Sequence, residues 1–309
     1  MGIDLKTIAS ALGLGALAAP APGQALSFPA RSDLVVFSAT AVDGKGRPVT
    51  DLQRQDFRIY EEGRAQAIAH FHGGRDLPAR VLLLVDASGS MGEEEKVASA
   101  KRAARWIADT LSPEDQVAVA GFDSRYWGVV AFTRDRESVH RGVESITPFG
   151  STALHDALDK AARDLASHGE GRRAIVVLTD GIDTSSQRTP DEVIAHSRAL
   201  DVPIYVVSVV SPLDDPASKR YLGRKHAGEA AAATEVLARY ATLSGGAAWR
   251  VSSPSGLRMA ADRIASELKH QYRLGWDPPS GPARFRRVTV LTTRKGVVVR
   301  TRSGYLPPS

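Results

Sequence analysis

Two short apolar runs, each closed by an aspartate, constrain this chain more than any other feature. Residues 81–86 read Val-Leu-Leu-Leu-Val-Asp, and residues 174–180 read Ala-Ile-Val-Val-Leu-Thr-Asp. Runs this short do not make helices of their own and read as strands buried on both faces. Segments of helical period lie between them. Val97, Ala100, Ala104, Ile107 and Leu111 trace one helical face, and Leu154, Ala157, Leu158, Ala161 and Leu165 trace another that stops at Gly169. From Arg80 onward, strand and helix therefore alternate, which predicts an α/β fold: a doubly wound, mostly parallel sheet with helices on both faces.

The remaining elements follow the same reading. Residues 115–123, 127–132 and 203–210 are expected as strands, with Trp249 and Val251 on an edge strand. Thr189-Pro190-Asp191-Glu192 is a capping box with proline at the first helical position, so a helix begins there. Another helix is expected over about residues 229–243, ending at Gly245-Gly246, and a last one on Leu257, Ala261, Ile264 and Leu268. Residues 211–228, with the acidic pair Asp214-Asp215, read as a polar insertion. No repeat of 20–50 residues is present.

Both flanks are β-like. Residues 34–42, 57–60 and 65–71 read as strands before the α/β unit, the last two joined by a turn at Glu61-Glu62-Gly63-Arg64. After it, Tyr272, Leu274 and Trp276 alternate, as do Val288 and Val290, and residues 297–302 close the set. About three strands on each side are too few for an independent sandwich. They suggest one β-sandwich with the α/β unit inserted into it, the alternative being two separate hairpin appendages. The expected organisation is a leader at 1–25, an N-terminal β-region at 26–76, the α/β domain at 77–269 and a C-terminal β-region at 270–309.

Composition narrows the function. The 309 residues carry a net charge of +5 with no long basic run, only short clusters such as Arg284, Arg286 and Arg287, which argues against nucleic acid as a partner. There is no cysteine, hence no disulfide, zinc-thiolate or iron–sulfur chemistry, and no lipid-anchored cysteine after the leader. Residues 1–25 have the composition of an export signal: Lys6, an apolar stretch at 8–19, then Gly23-Gln24-Ala25 at a cleavage site. The stretch is too short for a membrane span. Export to the periplasm or the exterior is the expectation, without a membrane span in the mature chain.

After the first run, Asp86 is followed by Ser88 and Ser90 at alternate positions, and residues 149–154 form the loop Phe-Gly-Ser-Thr-Ala-Leu before a helix. Oxygen donors crowded at the end of a buried strand suit a hard cation such as Mg2+. Singly, each residue has a plainer role: Asp86 as a turn residue, Ser88 and Ser90 as helix caps, Thr152 as the cap of its own helix. Asp183 reads as a loop residue, His155 as a satisfied surface histidine, and His70-x-His72 as a strand pair lacking a third ligand.

Together, Asp86-x-Ser88-x-Ser90, Thr152 and the Thr-Asp-Gly turn at Asp180 resemble the metal-ion-dependent adhesion site of von Willebrand factor A domains, the module shared with integrin I domains. The resemblance implies a Rossmann-like sheet whose first and fourth core strands are neighbours. It also implies a Mg2+ site, with Mn2+ or Ca2+ as alternatives, on Asp86, Ser88, Ser90, Thr152 and Asp180. Such a site binds an Asp or Glu carboxylate of a partner protein and needs no bond cleavage. The flanks, residues 51–63, 271–276 and 302–305, resemble those of exported bacterial proteins of this family. A scaffold subunit using its β-flanks is the second reading.

No enzyme is expected. Ser88-Gly89-Ser90-Met91-Gly92 is a near miss to the nucleophile elbow, with Ser90 as nucleophile and His226 or His270 as base. The first glycine is replaced, however, and Asp86 would have no task. No Walker A loop occurs.

Overall fold

Alternate residues of the first apolar run face opposite ways, and both faces are covered. The computed structural model describes residues 34–73, 78–92, 94–168, 171–210 and 227–307. Residues 1–25, expected as a leader, and most of the 211–228 insertion lie outside these residues, together with Asp214, Asp215 and His226.

Before the α/β unit come β1 (Val35–Asp43), β2 (Phe57–Glu61), β3 (Arg64–Gln66) and β4 (His70–His72). The unit itself begins with β5 (Ala79–Asp86), α1 (Glu94–Thr110), β6 (Gln116–Phe122), β7 (Tyr126–Thr133), α2 (Arg136–Ser145) and α3 (Leu154–Ala166). It continues through β8 (Arg172–Thr179), α4 (Pro190–Ala199), β9 (Ile204–Val209), α5 (Ala227–Ser244), β10 (Ala248–Val251) and α6 (Pro254–Lys269). Strands β11 (Tyr272–Trp276), β12 (Arg286–Thr292), β13 (Val297–Arg300) and β14 (Gly304–Tyr305) follow.

The central sheet has the order β10-β9-β8-β5-β6-β7, parallel except for the antiparallel edge strand β7. Val81, Leu83 and Val85 pack with α1 and α6 on one face. Leu82 and Leu84 pack with α3, α4 and α5 on the other. This is the doubly wound sheet that the alternation predicts, and β5 and β8 are neighbours. Helix α2 is missing from the sequence reading. It buries only Val139, Gly142 and Val143, too narrow a stripe to stand out, and its signal is the cap Asp135, whose side chain accepts from Glu137 N.

The flanks form two four-stranded sheets, β13-β1-β11-β4 and β14-β12-β2-β3, so each sheet takes strands from both ends of the chain. They share one core of Phe37, Leu52, Phe57, Ile59, Tyr272, Leu274, Trp276, Val288 and Val290. That arrangement is one sandwich, not two appendages. One detail corrects the sequence reading. Residues 65–71, read as a single strand, divide into β3 against β2 and β4 against β11, because the chain crosses between sheets at 67–69. In the sandwich interior the buried Glu61 accepts hydrogen bonds from Trp276 Nε1 (2.8 Å), Arg286 Nη1 (2.8 Å) and Tyr305 Oη (3.1 Å), tying four strands together.

The sandwich is tied to the end of the central sheet where the parallel strands begin. Arg172, the first residue of β8, donates to the carbonyls of Leu268 (2.8 Å) and Lys269 (2.9 Å) at the end of α6. Arg273 donates to Gly171 O (2.7 Å), Arg302 pairs with Asp201 (3.1 Å), and Arg300 pairs with the buried Glu267. The carboxyl ends of β5 and β8 point the other way, clear of the sandwich.

Candidate metal-binding rim

In an open α/β sheet, ligands bind beyond the carboxyl ends of the strands, where the winding direction reverses. Here that place is the junction of β5 and β8. Asp86 ends β5 and is fully buried. Its Oδ1 accepts from Ser88 N (2.9 Å) and its Oδ2 from Thr179 Oγ1 (2.5 Å), so the last residue of β8 fixes the last residue of β5. Burial raises the Asp86 carboxyl to about 6, against the lowering effect of the Ser88 and Thr179 hydrogen bonds, and the Asp180 carboxylate adds to the rise. Burial therefore disfavours the charge on this carboxylate more than its hydrogen bonds to Ser88 and Thr179 favour it.

Ser88 is buried and Ser90 exposed, with their hydroxyl oxygens 3.1 Å apart. Neither stands next to α1: Ser88 precedes a 3-10 turn at Gly89–Gly92, Ser90 lies within it, and the helix begins at Glu94. Asp180 follows β8 directly, and its Oδ2 lies 3.4 Å from Lys96 Nζ. Gly181 then turns with φ +88°, where a Cβ would come within 2.5 Å of Leu237 Cδ1, so the Thr-Asp-Gly turn requires its glycine.

The threonine loop is laid against the Asp86 loop by its backbone. Phe149 N donates to Ala87 O (2.6 Å), and Gly89 N donates to Gly150 O (2.8 Å). Thr152 is buried and held by backbone bonds with Thr184 and Ser185. It is not the cap of α3; Ala153 holds that position without a side-chain bond. Asp183 and Ser186 serve instead, reaching across to His155 N (3.2 and 3.0 Å). Asp183 thus has a structural task. His155 hydrogen-bonds Tyr240 Oη through Nδ1 (2.7 Å), and burial lowers its pKa.

All five sequence candidates therefore lie on one rim in a connected set of loops. Sequence reasoning missed three contributors: Thr179, Lys96 and Thr184. Thr179 had a signal, since it stands beside Asp180 in the same turn. Lys96 had none, because a lysine in the first turn of an amphipathic helix reads as solvated.

Two carboxylates and three hydroxyls suit a hard divalent ion in donor type. Among the described residues no group of three or more His, Cys, Asp or Glu side chains is gathered for a metal. An ion here would lean on hydroxyls and water as much as on charge. His70 and His72 are exposed on β4, at the sandwich end. The Ser90–His270 hydrolase arrangement does not form. His270 follows α6, its Nδ1 bonds Ser266 O (2.7 Å), and it lies at the opposite end of the sheet from Ser90. Among the described residues no histidine hydrogen-bonds Ser90, and no helix is long and apolar enough to cross a membrane.

Residues 81–182 match the family model described as the von Willebrand factor type A domain, a span containing all five candidates. A von Willebrand factor type A protein from Catenulispora acidiphila shares the fold, with a TM-score of 0.51 at 13% identity over 87% of this chain and 74% of its own. BatB from Bacteroides thetaiotaomicron, a conserved hypothetical protein, gives 0.48 at 22% identity over 62% of this chain and 99% of its own. A D319A mutant of the PilB minor pilin from Streptococcus sanguinis gives 0.46 at 15% over 63% and 62%. No curated protein matches the sequence. Domains of this type are in general protein-interaction or adhesion modules.

Proposed function

We propose that this protein, which carries a von Willebrand factor type A domain over residues 81–182, is an exported docking module whose partner is engaged through a divalent ion, Mg2+ by preference. Asp86, Ser88, Ser90, Thr152 and Asp180 would hold the ion directly or through water. The ion, when bound, supplies an open coordination position for a carboxylate oxygen from an Asp or Glu of another protein. No bond need be broken.

The observation that carries this reading is that Asp86, Ser88, Ser90, Thr152 and Asp180 gather on one rim at the carboxyl ends of β5 and β8, with the Asp86 carboxyl fully buried at its centre. A divalent ion would compensate both carboxylates and, with the remaining groups neutral hydroxyls, keep a coordination position open for an acidic ligand. Phe149, three residues before Thr152 and 78% exposed, gives the same rim an apolar contact for the residues flanking that acid. The sandwich, at the other end, holds the domain so that the rim faces away from it. The leader composition of residues 1–25 supports export.

Calorimetric titration of Mg2+ and Mn2+ into metal-stripped protein, beside Asp180→Ala, tests the reading. Saturable one-site binding that the variant loses is expected. Absence of binding in the wild type under conditions where it is folded overturns the metal-mediated mechanism.

A further inference from the structure

Lys96 lies in the first turn of α1 and, unlike an ordinary solvated lysine, turns inward. Its side chain is 10% exposed and that of its partner Asp180 is 4% exposed. Nζ stands 3.4 Å from Asp180 Oδ2 and 3.4 Å from the backbone carbonyl oxygen of Ser90. Those two acceptors come from the two loops whose side chains form the candidate metal set. The ammonium thus stands between an oxygen of each loop, on the Asp180 side of the rim.

Packing alone does not account for this placement. Withdrawing an ammonium from water is unfavourable unless it is paired, and an apolar residue would fill the same volume without that cost. Nor is the pair a locked salt bridge. A charge-assisted N–H···O bond is ordinarily about 2.7–2.9 Å long, and the contact to Asp180 is longer, so that pair is not drawn tight. A lysine ammonium is a compact point charge on a flexible stem. It can lie among the carboxylates or withdraw along its four methylenes toward the exposed rim at Ser90.

We propose that Lys96 is a tethered cation that stands in for the metal. It holds the Asp180 side of the rim when no ion is bound, and it must be displaced for a divalent ion to enter. The inference rests on the metal reading above and adds a competition to it. Asp180 can be compensated by the ammonium or by the ion, and adding the second positive charge at that distance is repulsive. Reciprocity then requires that whatever Lys96 costs the metal, the metal imposes on Lys96 in return. The site would stay ordered and closed to acidic ligands while metal is scarce. It would expose both an ion and a freed lysine once metal binds.

The test uses the full chain, stripped of metal, as wild type, Lys96→Met and Lys96→Arg. Mg2+ affinity is measured by calorimetry, and the solvent reactivity of Lys96 by reductive methylation and mass spectrometry with and without Mg2+. Lys96→Met keeps the length and removes the charge, so it should bind Mg2+ about tenfold more tightly or better, and melt lower than wild type without metal. Lys96→Arg should bind no more tightly than wild type. In the wild type, saturating Mg2+ should raise labelling of Lys96, a readout that stands even if the methionine variant folds poorly. Equal affinity in wild type and a folded Lys96→Met, or labelling unchanged by Mg2+, overturns the competition and leaves the metal site standing. No binding by any variant overturns both.

Discussion

Replacing Asp86 by asparagine should make the metal-free protein more stable at neutral pH, although it deletes the residue at the centre of the rim. The geometry tolerates the change. The introduced amide oxygen can keep accepting from Ser88 N, and the amide nitrogen can donate to Thr179 Oγ1, a hydroxyl that already accepts from Gly181 N (2.9 Å) and has a second lone pair. What changes is the charge. The carboxyl rises from 3.8 to about 6 on folding, first because burial penalises the charged form. At about 1.4 kcal/mol per pKa unit, the ionised group costs the fold about 3 kcal/mol. The sign follows from proton uptake: between pH 3.8 and about 6 the native state holds more proton than the unfolded chain. The stability associated with this group is therefore full below 3.8 and is lost as pH rises through about 6. Urea unfolding in a chelator, from pH 4 to pH 8, should show wild type and Asp86→Asn converging at the acid end. By pH 7 they should differ by about 3 kcal/mol in favour of the variant. Saturating Mg2+ should raise only the wild type, by mass action on the folded state. A difference that does not change with pH, or an Asp86→Asn that is less stable throughout, would refute the account of this carboxyl as one whose charge burial penalises.

Two further outcomes follow from the sandwich and its junction. Glu61→Ala leaves the Arg286 guanidinium buried without its carboxylate and removes the acceptor for Trp276 and Tyr305; a loss of about 3–5 kcal/mol is expected in urea unfolding followed by tryptophan fluorescence, and a loss below about 1 kcal/mol would show the cluster to be dispensable. Gly246→Ala places a Cβ 2.0 Å from the backbone oxygen of Ile204, which forces β9 and the turn into β10 apart; a loss of about 3 kcal/mol is expected by the same measurement, and an unchanged midpoint would refute it.

Much of the α/β architecture was written locally. The run ending at Asp86 can only be a strand covered on both faces, and Thr189 with Glu192 forms the capping box that its residue types dictate. Such signals lie within one or two turns of chain, where periodicity and capping act. The five rim candidates were legible for a related reason: each stands at a strand end or a helix start, and an open parallel sheet collects those positions on one edge.

The tertiary structure decided what depends on partners distant in sequence. Residues 65–71 alternate as one strand would, yet they split because β2 and β11 offer pairing in different sheets. Helix α2 carries too narrow an apolar stripe to be seen without β7 beneath it. Whether the flanks made one sandwich was settled by a core that no single flank could bury. The inward turn of Lys96 is the clearest case. Its sequence neighbours say only that it sits on a helix, while the carboxylate that draws it in, Asp180, lies 84 residues away. Local chain chemistry fixed which residues could serve the rim; long-range burial and charge fixed which cation stands among them.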